Sequence, residues 1–474
     1  MDNKLLLKNC RYIATINDNG DELTNHDILI SGNTIEKIAV DIQLEPEKSS
    51  NTEILDCSDY LVIPGMVNCH HHFYQILTRN LHGAQNAKLF TWLKYLYPIW
   101  ARLDPVAIYY STLLATIELI KTGCTLSSDH MYLYPEGFEG DMMAIQFEAA
   151  SATGIRFCPT RGSMTLSLKD GGLPPDNVVQ NPEEVVADME RVISKYHDPS
   201  PLAMRKIALA PCSPFSVDES VMVNTARIAR EHGVILHTHL AETRDEEDFC
   251  MEKYGMRPLA LMEKWGWIGE DVYFAHGIWF DEKEIDLLAR TRTGICHCPS
   301  SNMRLGSGIA RIREMRDNGV RIGLGVDGSA SNDTSDMLGE VRQAMLLQRV
   351  RFGPEALSAR ETLTFATRGG ADLLGYSELG RIEEGGGADL ALFDLTHPQY
   401  AGALEDPLAA IVFTGYNHTA SYSIINGRIV LREGRIVGID EEGVASKCND
   451  IASRLSSELK SPPNSGFPQI HKIK

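Results

Sequence analysis

Nowhere does the 474-residue sequence contain the roughly 18 consecutive apolar residues that a membrane-spanning helix needs. Its opening, MDNKLLLKNC, has three leucines but no apolar run after them, so a secretory leader is not expected. Positive charge is scarce. With 45 Lys and Arg against 64 Asp and Glu, the formal charge is −19. That argues against a nucleic-acid backbone or an anionic membrane as main partner, since both require basic patches. It leaves room for a small neutral ligand in a locally tuned pocket. The ten cysteines are scattered, mostly among apolar residues, which predicts reduced thiols and a cytoplasmic protein. Cys296-His297-Cys298 is the one cluster, and it lacks the second ligand pair of a structural zinc site. No solenoid-type repeat is present.

What is present falls into regions of different rhythm. Residues 1–60 carry short β-rich runs such as Leu5–Leu7, Asp27–Ile30 and Thr34–Ile38, split by turn signals such as Ser31-Gly32-Asn33. Residues 61–375 alternate apolar runs (Ile207–Ala210, Val234–Leu240, Val272–His276, Gly294–Cys298, Val320–Asp327) with helix-length segments, predicting βα units around a parallel sheet. Residues 376–440 return to short strands, among them Ala388–Asp394, Ile411–Thr414 and Tyr422–Ile425. The two flanks share a strand–turn–strand rhythm, which predicts one small β domain built from both termini around an inserted barrel. Residues 441–474 are expected to begin as a helix and end in a loose, proline-containing tail.

Four positions close predicted central strands, at the end where barrel enzymes place their chemistry. Residues i and i+2 of an extended segment share a face, so His70 and His72 make half of a metal site, with His71 turned away. In His237-Thr238-His239-Leu240-Ala241-Glu242, either histidine suits a third ligand by parity, and Glu242 lies just past the strand, in reach of a substrate. His276 closes Val272–Ala275 and is able to carry a proton or polarise water. Asp327 closes a buried glycine-containing run, where a carboxylate is costly unless paired or ligating. Three histidines and one aspartate suit zinc or ferrous iron with a position left for water. The Ile207–Ala210 strand runs on as Pro211-Cys212-Ser213 with no closing lysine, so a carbamylated bridge to a second metal is not expected.

The set Pro64-Gly65-Met66-Val67-Asn68-x-His70-x-His72, His239-Leu240-Ala241-Glu242, Ala275-His276, His297-Cys298-Pro299-Ser300-Ser301-Asn302, Val326-Asp327-Gly328 and Gly380-x-Ile382-x-x-Gly385-x-x-Ala388-Asp389 resembles the amidohydrolase superfamily, in its aromatic deaminase and triazine hydrolase branch. The resemblance spans nearly the whole chain. It implies a distorted (β/α)8 barrel with a small β-sandwich domain, and one divalent metal, Zn2+ or Fe2+, held by His70, His72, His239 and Asp327. Stretches such as His70–Arg79, Asp170–Asp176, Ala210–Val217 and Gly325–Asp333 are most similar to members that deaminate 8-oxoguanine. Triazine chlorohydrolases resemble the metal motifs but lack Asp170–Asp176 and carry asparagine where this chain has Gly328.

The resemblance implies hydrolysis of 8-oxoguanine to urate and ammonia. Asp327 would take the proton of a metal-activated water, Glu242 would protonate ring N3, and His276 would orient the water. Gln75 is a candidate for the C6 carbonyl, Arg161 for another ring carbonyl, and Trp92 for stacking on the purine. Alternatives are deamination of isoxanthopterin, guanine or another related heterocycle, triazine hydrolysis, or a non-catalytic scaffold of the same fold. The His-x-Glu and Pro-Cys-x-x-Cys of cytidine-type zinc deaminases are absent. A homo-oligomer associating through barrel faces is expected.

Overall fold

The computed structural model describes residues 4–44 and 52–457. Eight parallel strands close into a barrel in chain order: β1 (Met66–Asn68), β2 (Cys124–Met131), β3 (Arg156–Ser163), β4 (Ala208–Pro211), β5 (Ile235–Leu240), β6 (Val272–His276), β7 (Gly294–His297) and β8 (Arg321–Leu324). Closure is made by β8 against β1, with Leu324 opposite Asn68. Every residue of β2 and β3 is buried, as expected where side chains fill the barrel on one face and helices cover the other. The helices start on sharp signals. Asp104 accepts from Ala107 N–H ahead of Pro105, and Asp281 and Glu284 form a reciprocal capping box.

Two further sheets form a sandwich. One has seven strands in the order Arg435–Ile436, Arg428–Arg432, Tyr422–Ile425, Leu390–Asp394, Tyr60–Pro64, Tyr12–Ala14, Glu22–Leu23. The other has four, in the order Thr34–Ala39, His26–Ser31, Lys4–Cys10, Thr52–Asp56. Leu390–Asp394 runs antiparallel to Tyr60–Pro64, so segments from both sides of the barrel sequence share one sheet. Leu5, Leu7, Ile28, Ile30, Val62, Leu390 and Ile424 pack in the core between the sheets. Arg156 of β3 clamps the sandwich to the barrel through Asp389, at 3.0 Å from Nε and 2.9 Å from Nη2, with both side chains buried. Removing one partner would leave an uncompensated buried charge.

Ile411–Thr414 is not a strand. The chain is helical over Pro407–Phe413, where Asp406 accepts from Ala409 N–H at 3.0 Å and Pro407 takes the first helical position. A short apolar run suits a buried helix as well as a strand, and the cap decides between them. The helix Glu441–Ser456 is capped by Asp440, while the proline-containing segment beyond residue 457 lies outside the described residues. All ten cysteines are free and buried, and the Cys296 and Cys298 sulfurs lie 4.0 Å apart. Among the described residues, no helix is long and apolar enough to cross a membrane.

Candidate active site

Strands β5, β6 and β8 all end on tight left-handed turns. Ala241 (φ 53°), His276 (φ 72°) and Asp327 (φ 64°) occupy backbone space that non-glycine residues seldom adopt. Such strain persists only where surrounding bonds hold it. Here Asn68 Oδ1 accepts from Val326 N–H at 2.9 Å, and Asp327 N–H donates to the His70 carbonyl at 3.0 Å. These bonds tie the end of β1 to the end of β8 and bring His70, His72 and Asp327 together. The Asp327 Oδ1 lies 3.5 Å from His70 Nε2 and 3.3 Å from His72 Nε2. His239 Nε2, from the end of β5, lies 3.1 Å from His72 Nε2. His71 is turned away, with Nε2 2.9 Å from Ser335 Oγ.

The outer nitrogens of these rings set their tautomers. His72 Nδ1–H donates to the His130 carbonyl at 2.8 Å, and His239 Nδ1–H to the Cys212 carbonyl at 2.7 Å. His237 Nδ1–H donates to the Tyr273 carbonyl at 3.2 Å, which frees its Nε2 to accept from His70 Nδ1–H at 2.8 Å. Every inward Nε2 is therefore an unprotonated lone pair. Burial holds the His70, His72 and His239 imidazoles below their ordinary pKa and so keeps them neutral. Burial opposes charge on Asp327, yet the carboxyl is held well below its usual range, with His276, whose own pKa is raised, among its neighbours. Two bare nitrogens at 3.1 Å repel unless a cation lies between them. His70 Nε2 is buried without a hydrogen-bond partner. Neutral imidazoles, an ionised carboxylate and polar groups fixing the outer nitrogens make a donor set that fits a divalent cation such as zinc.

Glu242 and His276 face one another across this cluster, His276 Nε2 lying 3.6 Å from Glu242 and 4.0 Å from Asp327 Oδ2. Asn302 Oδ1 accepts from His276 Nδ1–H at 2.9 Å, so Nε2 is the atom presented inward. Burial lowers the His276 pKa, yet Glu242 and Asp327 raise it overall. Burial raises the Glu242 pKa, which favours a carboxyl that holds a proton it can donate. Glu246 fixes the turn beneath it, its two oxygens accepting from Ala241 N–H at 2.9 Å and Glu242 N–H at 3.2 Å.

These groups form the floor of a cavity whose walls include Gln75, Trp92, Tyr97, Tyr132, Phe215 and Leu305. Gln75 packs against Gly328, where an added Cβ would meet Gln75 Oε1 at 1.9 Å. The Gly328 backbone (φ −69°, ψ 140°) suits any residue, so glycine is needed here for space alone.

The amidohydrolase family profile matches residues 61–430. The chain belongs to the amidohydrolase family. It is 47% identical over 400 residues to 8-oxoguanine deaminase of Pseudomonas aeruginosa, covering 84% of this chain and 88% of that protein. It is 35% identical over 476 residues to an isoxanthopterin deaminase of an unknown prokaryotic organism, covering 96% and 98%. The crystal structure of atrazine chlorohydrolase from Arthrobacter aurescens complexed with zinc superposes with a TM-score of 0.90 at 32% identity, covering 94% of this chain and 100% of that one. This amidohydrolase is a hydrolase of carbon–nitrogen bonds, a hydrolytic deaminase of heterocycles.

One expected substrate contact of the amidohydrolase is not in the cavity. Arg161 turns outward from β3 to Asp188 (Nε to Oδ2, 2.6 Å), to Gln180 at 3.2 Å, and onto the Tyr134 ring at 4.1 Å. Strand parity places its side chain on the helix side of the barrel wall, where it pairs with the Asp188 carboxylate, outside the cavity lining. The Asp170–Asp176 stretch also stays outside the cavity lining. His130, Tyr97, Asn302 and Glu246 gained no role from the residues alone. His130 ends near the ligands because β2 neighbours β1; its ring stacks on His239 at 4.7 Å and its Nε2 lies 2.8 Å from the Ala210 carbonyl. Glu246, four residues after Glu242, is a signal of the kind a helix-start reading can find.

Proposed function

We propose that the protein hydrolyses 8-oxoguanine to urate and ammonia, with one zinc ion held by the Nε2 atoms of His70, His72 and His239 and by Asp327. The bound ion supplies Lewis acidity that brings the pKa of water toward neutrality. The remaining chemistry belongs to the side chains. Asp327 Oδ2, on the side facing His276, takes a proton from the attacking water. His276 Nε2 orients that water. Glu242, its pKa raised by burial, donates a proton to ring N3 as oxygen adds at C2. Asp327 passes its proton to the amine, the C2–N bond breaks and ammonia leaves, and the proton of the new C2 hydroxyl returns to Glu242 as the carbonyl forms.

The Gln75 carboxamide supports a substrate with a lactam edge. Its Oε1 is buried with no protein partner, and it lies against Gly328 on the wall of the same cavity as Glu242. A carboxamide offers donor and acceptor side by side, which matches a lactam edge such as N1–H and C6=O of an oxopurine. The name of the Pseudomonas aeruginosa relative supports the same ring. The test is ammonia release from 8-oxoguanine, guanine, isoxanthopterin and a chlorotriazine, side by side on metal-quantified protein. A kcat/KM highest for 8-oxoguanine is expected; preference for any of the others rejects the assignment.

A further inference from the structure

One helix, Leu89–Trp100, forms much of the cavity wall, contributing Leu89, Trp92, Leu93 and Tyr97. Leu89, Leu93 and Tyr97 recur every four residues and so occupy one face of the helix. Most of that face is apolar, but two of its polar heads have no protein partner. Trp92 Nε1 and the Tyr97 hydroxyl are both buried without a hydrogen bond, in side chains only 3% and 1% exposed. An indole N–H can only donate. Burial pushes the Tyr97 phenol well above its ordinary pKa, so it too keeps its proton.

Their surroundings hold both rings in place. Trp100, whose Nε1–H donates to Thr78 Oγ1 at 3.1 Å, meets Trp92 edge-on at 5.4 Å and Tyr97 edge-on at 5.9 Å. Two pre-placed donors in an otherwise apolar wall are costly while unpaired, and a ligand acceptor would satisfy them. Gln75, beside Gly328, lines the same cavity. A ligand satisfying all of these groups needs an acceptor for the two donors besides the edge that Gln75 reads.

We propose that Trp92 Nε1–H and Tyr97 O–H form a carbonyl-reading pair that binds the second oxo group of the substrate, the C8 carbonyl of 8-oxoguanine, and thereby favours an oxidised purine over guanine. This rests on the proposed reaction and deepens it, assigning to Trp92 a polar contact and to Tyr97 a binding role. Guanine has no oxygen at C8, so it leaves the pair partly unpaired. A site built to hydrogen-bond a group discriminates against the analogue lacking it, because the buried donors are stranded.

Tyr97→Phe deletes one oxygen, and Trp92→Phe deletes the N–H while keeping an aromatic face. On metal-quantified protein, kcat/KM is measured for 8-oxoguanine and guanine, and equilibrium binding for urate and xanthine, products with and without the C8 carbonyl. The Tyr97→Phe variant should lose roughly ten- to hundred-fold with 8-oxoguanine. The loss with guanine should be several-fold smaller, and urate affinity should fall more than xanthine affinity. Thermal unfolding monitors the fold of both variants. Equal losses for both members of each pair in both variants overturn the carbonyl-reading pair while leaving the proposed reaction standing. A wild-type enzyme inactive on 8-oxoguanine overturns both.

Discussion

Gly328→Ala adds one methyl group at a position whose backbone accepts it without strain. On conformational grounds alone the change would be neutral or stabilising by about 0.4–1 kcal/mol, because glycine loses more freedom on folding. The new Cβ, however, would lie 1.9 Å from Gln75 Oε1 and 2.3 Å from its Cδ. Ordinary contact begins near 3.4 Å, so the carboxamide must withdraw by about 1.5 Å. A misplacement of about 1 Å in a binding group can reduce rate on the order of a hundred-fold. The expected result is a kcat/KM for 8-oxoguanine lowered by about two orders of magnitude, with metal content and melting temperature little changed. The reasoning requires that the loss travel through Gln75. In a Gln75→Ala background the obstructed group is gone, and Gly328→Ala should then cost less than about threefold by the logic of a double-mutant cycle. A Gly328→Ala variant within twofold of wild type, or equal losses in the two backgrounds, refutes it.

Three other perturbations test the rest of the site. His239→Ala should lose both bound metal and activity; an active variant with full metal content by elemental analysis removes His239 from the ligand set. Glu242→Gln should retain metal while kcat falls by roughly 10²- to 10⁴-fold, and a near-normal rate removes its proton-transfer role. Glu246 has its pKa pushed up by burial to about 7. A carboxyl whose folded pKa is raised contributes stability at low pH that is lost as pH rises through about 7, with a slope near 1.4 kcal/mol per pH unit over that window. Relative to wild type, Glu246→Gln should therefore gain stability between pH 5 and pH 8 in denaturant titrations, and an unchanged difference contradicts the buried, neutral carboxyl.

Much of this architecture is legible in the residues. Alternating apolar runs predicted parallel βα units, and eight such strands close the barrel. The shared rhythm of the two flanks matches the seven-stranded sheet that holds Tyr12–Ala14 together with Leu390–Asp394 and Tyr422–Ile425, and Tyr60–Pro64, expected in the barrel from Leu61 on, joins that sheet as well. Ile411–Thr414 misled because four apolar residues carry no period, and Asp406 with Pro407 tipped the segment to helix. Arg161 misled because a charged residue on a barrel strand faces either the ligand or the outer helices, and Asp188, 27 positions on, supplies the partner outside.

By itself the sequence determined which chemistry was available: histidines at i and i+2, a histidine and a glutamate three residues apart, a lone histidine and a lone aspartate, each closing a strand. Covalent spacing and strand parity are local, so residue order alone sets them. Only the tertiary structure decided which lone pairs face inward. That choice rests on backbone carbonyls of Cys212, His130 and Tyr273, which have no signature in the side-chain alphabet. The same holds for the cavity wall. Gly328 is a small residue with ordinary backbone angles until Gln75, some 250 positions earlier, packs into the space its missing Cβ leaves. Long-range packing of this kind depends on barrel closure, and it fixes the tautomers and the shape of the pocket.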